Sequence, residues 1–177
     1  FILSAATALA CAEFLQKKNI SNVAVKWPND LYINDRKAGG ILIENILKGA
    51  EWKYSVIGIG INVNQQQFDA SIPNAISLYQ ITKKHYALLE MAKELYELLW
   101  QKIDSLTRTN FDHLLINYNN LLFRKNKMVK LKKGNIVFDA KIVAVTQQGI
   151  LLAETGNIMQ EFVFGEVEWV LKPQRET

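Results

Sequence analysis

Three short stretches of the sequence hold residues whose types and order could do chemistry. Lys26, Trp27, Pro28, Asn29 and Asp30 run together. A strand that reaches Pro28 loses its ladder there, because proline has no N–H to give. Asn29 and Asp30 are then presented at a strand end, where the backbone is no longer paired. Alone, this stretch reads as a turn, since Asn and Asp after Pro are good turn chemistry. Next come Arg36, Lys37, Ala38, Gly39 and Gly40, a lysine leading into two glycines at the start of an apolar strand. Glycine weakens a strand unless something must approach its backbone closely. A lysine beside such a gap can meet an anion as a compact point charge; alone, the stretch reads as a hairpin with a solvent-facing lysine. In the third stretch, alternation puts Val56, Gly58, Gly60 and Asn62 on one face of a strand and Ile57, Ile59, Ile61 and Val63 on the other. One face is then packed core, and the other is a glycine floor ending in an amide. A flat ligand needs such a floor, and an Asn at its edge can both donate to and accept from a heterocycle such as adenine. The plainer reading is a glycine-bearing, bulged strand. The spacing is not that of a Rossmann or phosphate-binding loop.

A fourth stretch is basic: Arg124, Lys125, Lys127, Lys130, Lys132 and Lys133. It reads first as a solvated face, and otherwise as a guide for an acidic protein partner. The aromatics nearby form no evident platform for bases, so nucleic acid is not expected. His85 and His113 are isolated, Cys11 lies on an apolar helix, and no metal cluster or serine-nucleophile motif can be assembled. The 177 residues are 49% hydrophobic and 21% charged, with a formal charge of +4, which is globular and only mildly basic. One cysteine excludes an internal disulfide and fits a reducing cytosol, so a cytoplasmic location is expected. No apolar run reaches the roughly 18 residues of a membrane span.

The elements that must position these residues follow from periodicity. Residues 1–18 read as an alanine-rich helix with Asn19 as a left-handed stop. Strands are predicted over 22–27, 31–33, 38–46 and 52–62, joined by short turns into an antiparallel meander. Residues 64–77, polar and containing Pro73, read as a loop. Amphipathic helices are predicted over 86–106, with Leu88, Met91, Ala92, Leu95, Leu98, Leu99 and Ile103 facing the core, and over 111–122. Beyond Arg124, turn-separated strands over 128–131, 135–145, 149–153 and 158–169 predict a small barrel.

Taken together and in order, the three motifs at 26–30, 36–44 and 58–64 closely resemble the catalytic domain of biotin protein ligases (biotin–[acetyl-CoA-carboxylase] ligases), and the helices and small barrel extend the resemblance over essentially the whole sequence. It implies an α/β (α+β) fold, a mixed, mainly antiparallel sheet flanked by helices and class II synthetase-like, with residues 1–124 as catalytic domain and 125–177 as a C-terminal SH3-like barrel. It implies the joining of biotin and ATP, with Mg²⁺, into biotinyl-5′-adenylate, then transfer of biotin to a lysine of a biotin carboxyl carrier protein, the acetyl-CoA carboxylase subunit. Lys37 matches the family's key lysine, an ammonium between the biotin carboxylate and the α-phosphate. By the same resemblance Lys37, Gly39, Gly40, Gly58, Ile59 and Gly60 border biotin. Asn29, Lys37, Ile41, Ile61 and Asn62 match nucleotide-binding positions, and Asp30 orients or deprotonates the carrier lysine.

The resemblance is incomplete at its start. The family's Gly-Arg-Gly-Arg type loop, the strands beside it and an N-terminal helix-turn-helix are not in this sequence, which begins with Phe1. The expectation is therefore a fragment with little or no activity and an exposed sheet edge able to support a homodimer. The alternatives are a lipoate or octanoyl ligase-like enzyme, or a non-catalytic module that binds nucleic acid or protein through its basic run.

Overall fold

The first helix has almost no polar face, and such a helix has to be enclosed. The computed structural model describes residues 1–49, 51–106 and 110–171. In it α1 (Ile2–Lys17) has Ala5, Ala6, Ala10, Cys11 and Leu15 fully buried, and Asn19 closes it in the left-handed conformation at φ 61°. Its alanines let it lie close against a sheet on one side, while α3 (Leu88–Asp104) and α4 (Phe111–Asn120) cover the other. Lys102 of α3 ties to Glu13 of α1 at 2.8 Å, and its hydrogen bond, backed by its charge, lowers the Glu13 carboxyl below the usual carboxylate value.

The sheet is the predicted antiparallel meander: β1 (Val23–Lys26), β2 (Asp30–Ile33), β3 (Arg36–Lys48) and β4 (Glu51–Ile61), in that order. Asn34 and Asp35, both at positive φ, make the turn from β2 to β3. β3 and β4 cross closely at Gly39, which pairs with Ile61. A Cβ built on Gly39 would lie 2.2 Å from the Gly60 carbonyl oxygen, so only glycine fits there.

After β4 the chain crosses the predicted loop and enters α2 (Leu78–Thr82), a short helix that periodicity does not reveal. Its signal is the Ser77 and Gln80 pair, which form a capping box: the Ser77 hydroxyl accepts from Gln80 N–H at 3.1 Å, and the Gln80 side chain accepts from Ser77 N–H at 3.2 Å. α3 buries less than its pattern suggests. Met91 and Leu98 are buried, but Leu88 is 59% exposed and Ala92 is also exposed. The helix meets α1 along one narrow side, and periodicity cannot say how much partner surface is available. α4 ends earlier than expected because the chain leaves it to add a bridge to the outer edge of β1, where Val25 N–H donates to Leu121 O at 2.7 Å.

A second antiparallel sheet holds β5 (Met128–Lys133), β6 (Ile136–Val145), β7 (Leu151–Thr155), β8 (Ile158–Phe162) and β9 (Glu168–Trp169), in the order β8-β7-β6-β5-β9. Two expectations are corrected here. The segment predicted as one strand over 158–169 breaks after Phe162, with Gly165 at φ 81°. The barrel is not closed among the described residues: β8 and β9 are the sheet's two edges, and β9 pairs with β5 alone.

The two sheets share one core, in which Val25, Trp27 and Leu31 cluster with Leu131, Ile142 and Phe162. Two indoles tie them together. Trp27 Nε1–H donates to Gly149 O at 2.9 Å, and Trp169 Nε1–H donates to Trp27 O at 3.0 Å. Asn119 of α4 adds a two-point clamp on Val145 of β6. Among the described residues no helix is long and apolar enough to cross a membrane.

Two outcomes are expected. Gly39→Ala lowers stability by about 3 kcal/mol, the upper end of an overpacking penalty, read as a shift in the urea midpoint. Cys11, whose thiol burial pushes up to about 12, resists iodoacetamide at pH 8 in the folded chain and reacts fully in guanidinium. Alkylation of the native chain within minutes would show that α1 is not enclosed.

Candidate active site

The site grows from the turn between β1 and β2. Lys26 and Asp30 are cross-strand partners, and the three residues between them, with a cis Trp27–Pro28 bond, form the turn. Asn29 holds this turn against β3 by two bonds, its Nδ2–H to Ile41 O at 2.7 Å and its carbonyl accepting from Ile41 N–H at 2.9 Å. Asp30 thus sits opposite Gly40.

Lys37 reaches the same face through a β-bulge. The β2–β3 register shifts between Leu31 and Tyr32, so that Leu31 faces Gly39 while Tyr32 faces Lys37. Side chains alternate along a strand, so an unbroken register would put Lys37 and Gly40 on opposite faces; the extra residue, Ala38, brings them to one. Lys37 Nζ lies 2.6 Å from Asp30 Oδ1, and Lys26 Nζ lies 3.1 Å from Asp30 Oδ2. One carboxylate therefore faces two ammonium groups. The Lys37 side chain is 47% exposed, whereas those of Asp30 and Lys26 are 15% and 12% exposed. Burial first, and the Asp30 carboxylate second, push the neighbouring Tyr32 phenol up to about 12, so it stays a neutral hydroxyl.

Beyond Lys37 the floor is bare. Gly40 pairs with Gly60, and Leu42 with Gly58, on the exposed face of β3 and β4. A Cβ on Gly60 would meet no atom within 4 Å, so the protein's own packing leaves that position free. Two clefts open over this floor. One, of about 460 Å³, holds Asn29, Asp30, Lys37, Gly40, Gly58 and Gly60. The other, of about 630 Å³, shares Lys37, Gly40 and Gly60, adds Gly39, Ile61 and Asn62, and is bordered by Phe68, Ile72 and Pro73 of the loop after β4. Lys37 stands where the two meet.

Every site residue singled out in the sequence falls on one of these two clefts, but their means of contact differ. Ile41, Ile59 and Ile61 turn their side chains into the core, so what they present to the clefts is backbone. Asn62 is largely engaged in the fold. Its main chain bonds Ala38 O at 2.7 Å and Leu78 N–H at 3.0 Å, and its Nδ2 reaches Ile76 O at 3.2 Å. Oδ1 is the atom it can offer a ligand, an acceptor only. Sequence reasoning gave no role to Lys26, nor to Phe68, Ile72 and Pro73. Two large apolar side chains inside an otherwise polar loop were the available signal. Among the described residues no three of His, Cys, Asp and Glu come together as a metal cage.

The likeness to known proteins agrees with this geometry. A model of the biotin/lipoate A/B protein ligase family matches residues 1–62. The chain is 30% identical over 184 residues to the bifunctional ligase/repressor BirA of Escherichia coli (strain K12), covering 93% of this chain and 52% of that protein. It is 39% identical over 69 residues, 38% of this chain and 21% of that protein, to biotin–protein ligase 2 of Arabidopsis thaliana. It thus spans about half the length, or less, of these curated relatives. Among solved structures, the biotin protein ligase from Aquifex aeolicus in complex with biotin and ATP superposes with a TM-score of 0.78 at 25% identity, covering 97% of this chain and 72% of that one. Residues 1–62 therefore match the biotin/lipoate A/B protein ligase family, and nearly the whole chain is similar to BirA in sequence and to the Aquifex aeolicus biotin protein ligase in fold.

Proposed function

We propose that this chain is the ligand-holding part of an enzyme that activates biotin with ATP and transfers it to a lysine of a biotin carboxyl carrier protein. The observation that carries this reading is the meeting of two clefts at one half-exposed ammonium, that of Lys37, over a glycine floor. Two anions that repel each other need a cation between them before they can react. In the first step a biotin carboxylate oxygen attacks the α-phosphorus of ATP, the acyl–O–P bond forms, and pyrophosphate leaves. The carboxylate is already ionised at neutral pH, so this step needs no base. In the second, the carrier's lysine amine attacks the acyl carbon, an amide forms, AMP leaves, and the amine gives up a proton, with Asp30 placed to orient or accept from it.

The smaller cleft, floored by Gly58 and Gly60, suits the biotin ring; Asn29 and Ile41, matched above to nucleotide-binding positions, also line it, and Gly39, matched to biotin, lies on the larger cleft. The larger, with Phe68 and Ile72 at its border and Asn62 Oδ1 as an acceptor, suits adenosine. Mg²⁺ belongs to this proposal as an ion carried on the phosphates of ATP; among the described residues no three of His, Cys, Asp and Glu come together to cage it, and Asp30 already faces two lysines. The outer edge of β4 has no partner strand among the described residues, which fits a homodimer as part of the same reading.

Biotin-dependent exchange of labelled pyrophosphate into ATP tests the proposal. Lys37→Ala is expected to lower the exchange at least about a hundredfold, the scale on which a preorganised charge acts in such a site, with an unchanged circular dichroism spectrum. Gly60→Val, which adds its side chain into open space over the floor, is expected to keep the fold and lose biotin. Exchange driven by lipoate instead of biotin would replace the substrate. Exchange indifferent to Lys37 would overturn the reading.

A further inference from the structure

The Lys26 ammonium is not a surface charge. It lies 5.6 Å from the centre of the Tyr32 ring and 5.7 Å from that of Trp169, which belongs to β9 of the second sheet. Phe123 fills the space between those rings, 4.7 Å from Tyr32 and 5.8 Å from Trp169, centre to centre. An aromatic wall of this kind holds a cation through ring faces while excluding water from it. Among the described residues the carboxylate on that ammonium is that of Asp30, whose other oxygen holds Lys37.

From this geometry we infer that Lys26 is a positioning residue: it keeps Asp30 neutralised so that Lys37 is released to an incoming anion, and Trp169 of the second sheet holds it there. The inference rests on the ligase reading above. It follows from counting charges. Lys37 and Asp30 alone would be a closed pair with no net charge, and an arriving carboxylate or phosphate would have to compete with Asp30 for Lys37. It would also leave Asp30 as a bare anion beside it, and like charges at such range repel strongly where water is scarce. With Lys26 the cluster carries one net positive charge. When Lys37 turns to the ligand, Asp30 keeps a partner. Lys37 is the half-exposed member and can move; Lys26 is enclosed and cannot.

Two titrations of the whole chain by calorimetry test this. One uses a non-hydrolysable, negatively charged biotinyl-adenylate analogue, and the other uses biotin amide, which carries no charge. Lys26→Met keeps an apolar stem between the rings and removes the charge. It is expected to weaken the charged analogue about tenfold while leaving biotin amide within about twofold, and Lys26→Arg is expected to restore most of the loss. Trp169→Leu is expected to weaken the charged analogue about threefold, whereas Trp169→Phe, which keeps a ring face, retains it. Circular dichroism checks that each variant is folded. Equal loss of both ligands on Lys26→Met, or no loss of the charged one, overturns the role given to Lys26 and leaves the ligase reading intact. An unaltered chain that binds neither ligand overturns both.

Discussion

One inserted residue decides which side of the sheet the key ammonium belongs to. The bulge at Ala38 shifts the β2–β3 register between Leu31 and Tyr32 and turns Lys37 onto the face that carries Asp30, Gly40 and Gly60. Without it, alternation would point Lys37 away from the glycine floor, and the two clefts would have no common cation. The bulge is tolerated because of its neighbours. Asn29 pins the chain just beyond it at Ile41, and Asn62 N–H donates to the carbonyl of Ala38 itself. Gly39, next in line, lets β4 pass closer than any side chain would allow. The glycines of this segment thus do two unlike jobs. Gly39 is required by the protein's own backbone, and Gly60 leaves room for something else.

That distinction shows what could be read from the sequence. The meander and the alternation of the glycine floor were legible, because period-2 patterning and turn chemistry are local signals, whereas the roles of Lys37, Asp30 and the two asparagines were expected from the resemblance of the three motifs, taken in order, to a known family. The bulge was not, since a register shift is settled between two strands and leaves no period in either. The barrel expected over 125–177 is an unclosed sheet among the described residues, for the same kind of reason. Short strands separated by turns say that a sheet forms, but closure depends on whether its two edge strands meet, and β8 and β9 do not pair among the described residues. In α3, periodicity marked residues that could be buried, and only α1 could say how many were. Asn29 and Asn62 were singled out as ligand contacts; both also spend hydrogen bonds on holding the floor in place, a role that sequence cannot separate from binding.

The second sheet bears on the site through few atoms, all close to the motif. Trp27 is the first residue of the turn after Lys26, and its indole and carbonyl bond across to Gly149, in the turn between β6 and β7, and to Trp169 of β9. Gly149 is itself constrained twice, by φ 86° and by the Phe1 ring 2.7 Å from where its Cβ would be. The segment that presents Asn29 and Asp30 is therefore fixed on one side by β3 and on the other by a sheet more than a hundred residues away in sequence.

This arrangement also explains how a half-exposed lysine can be both ordered and available. An ammonium with no partner would be mobile, and ordering it on binding would cost conformational freedom. One buried in a closed pair would be ordered but unavailable. Lys37 avoids both because its partner is shared. Asp30 is held by the turn and by Lys26, so it remains a fixed acceptor whether or not Lys37 is on it. Exchanging Asp30 for a substrate oxygen then replaces one charged contact by another at similar range, with little to reorganise around it. The floor beside it is backbone and needs no rearrangement, so the group that has to move is one lysine side chain.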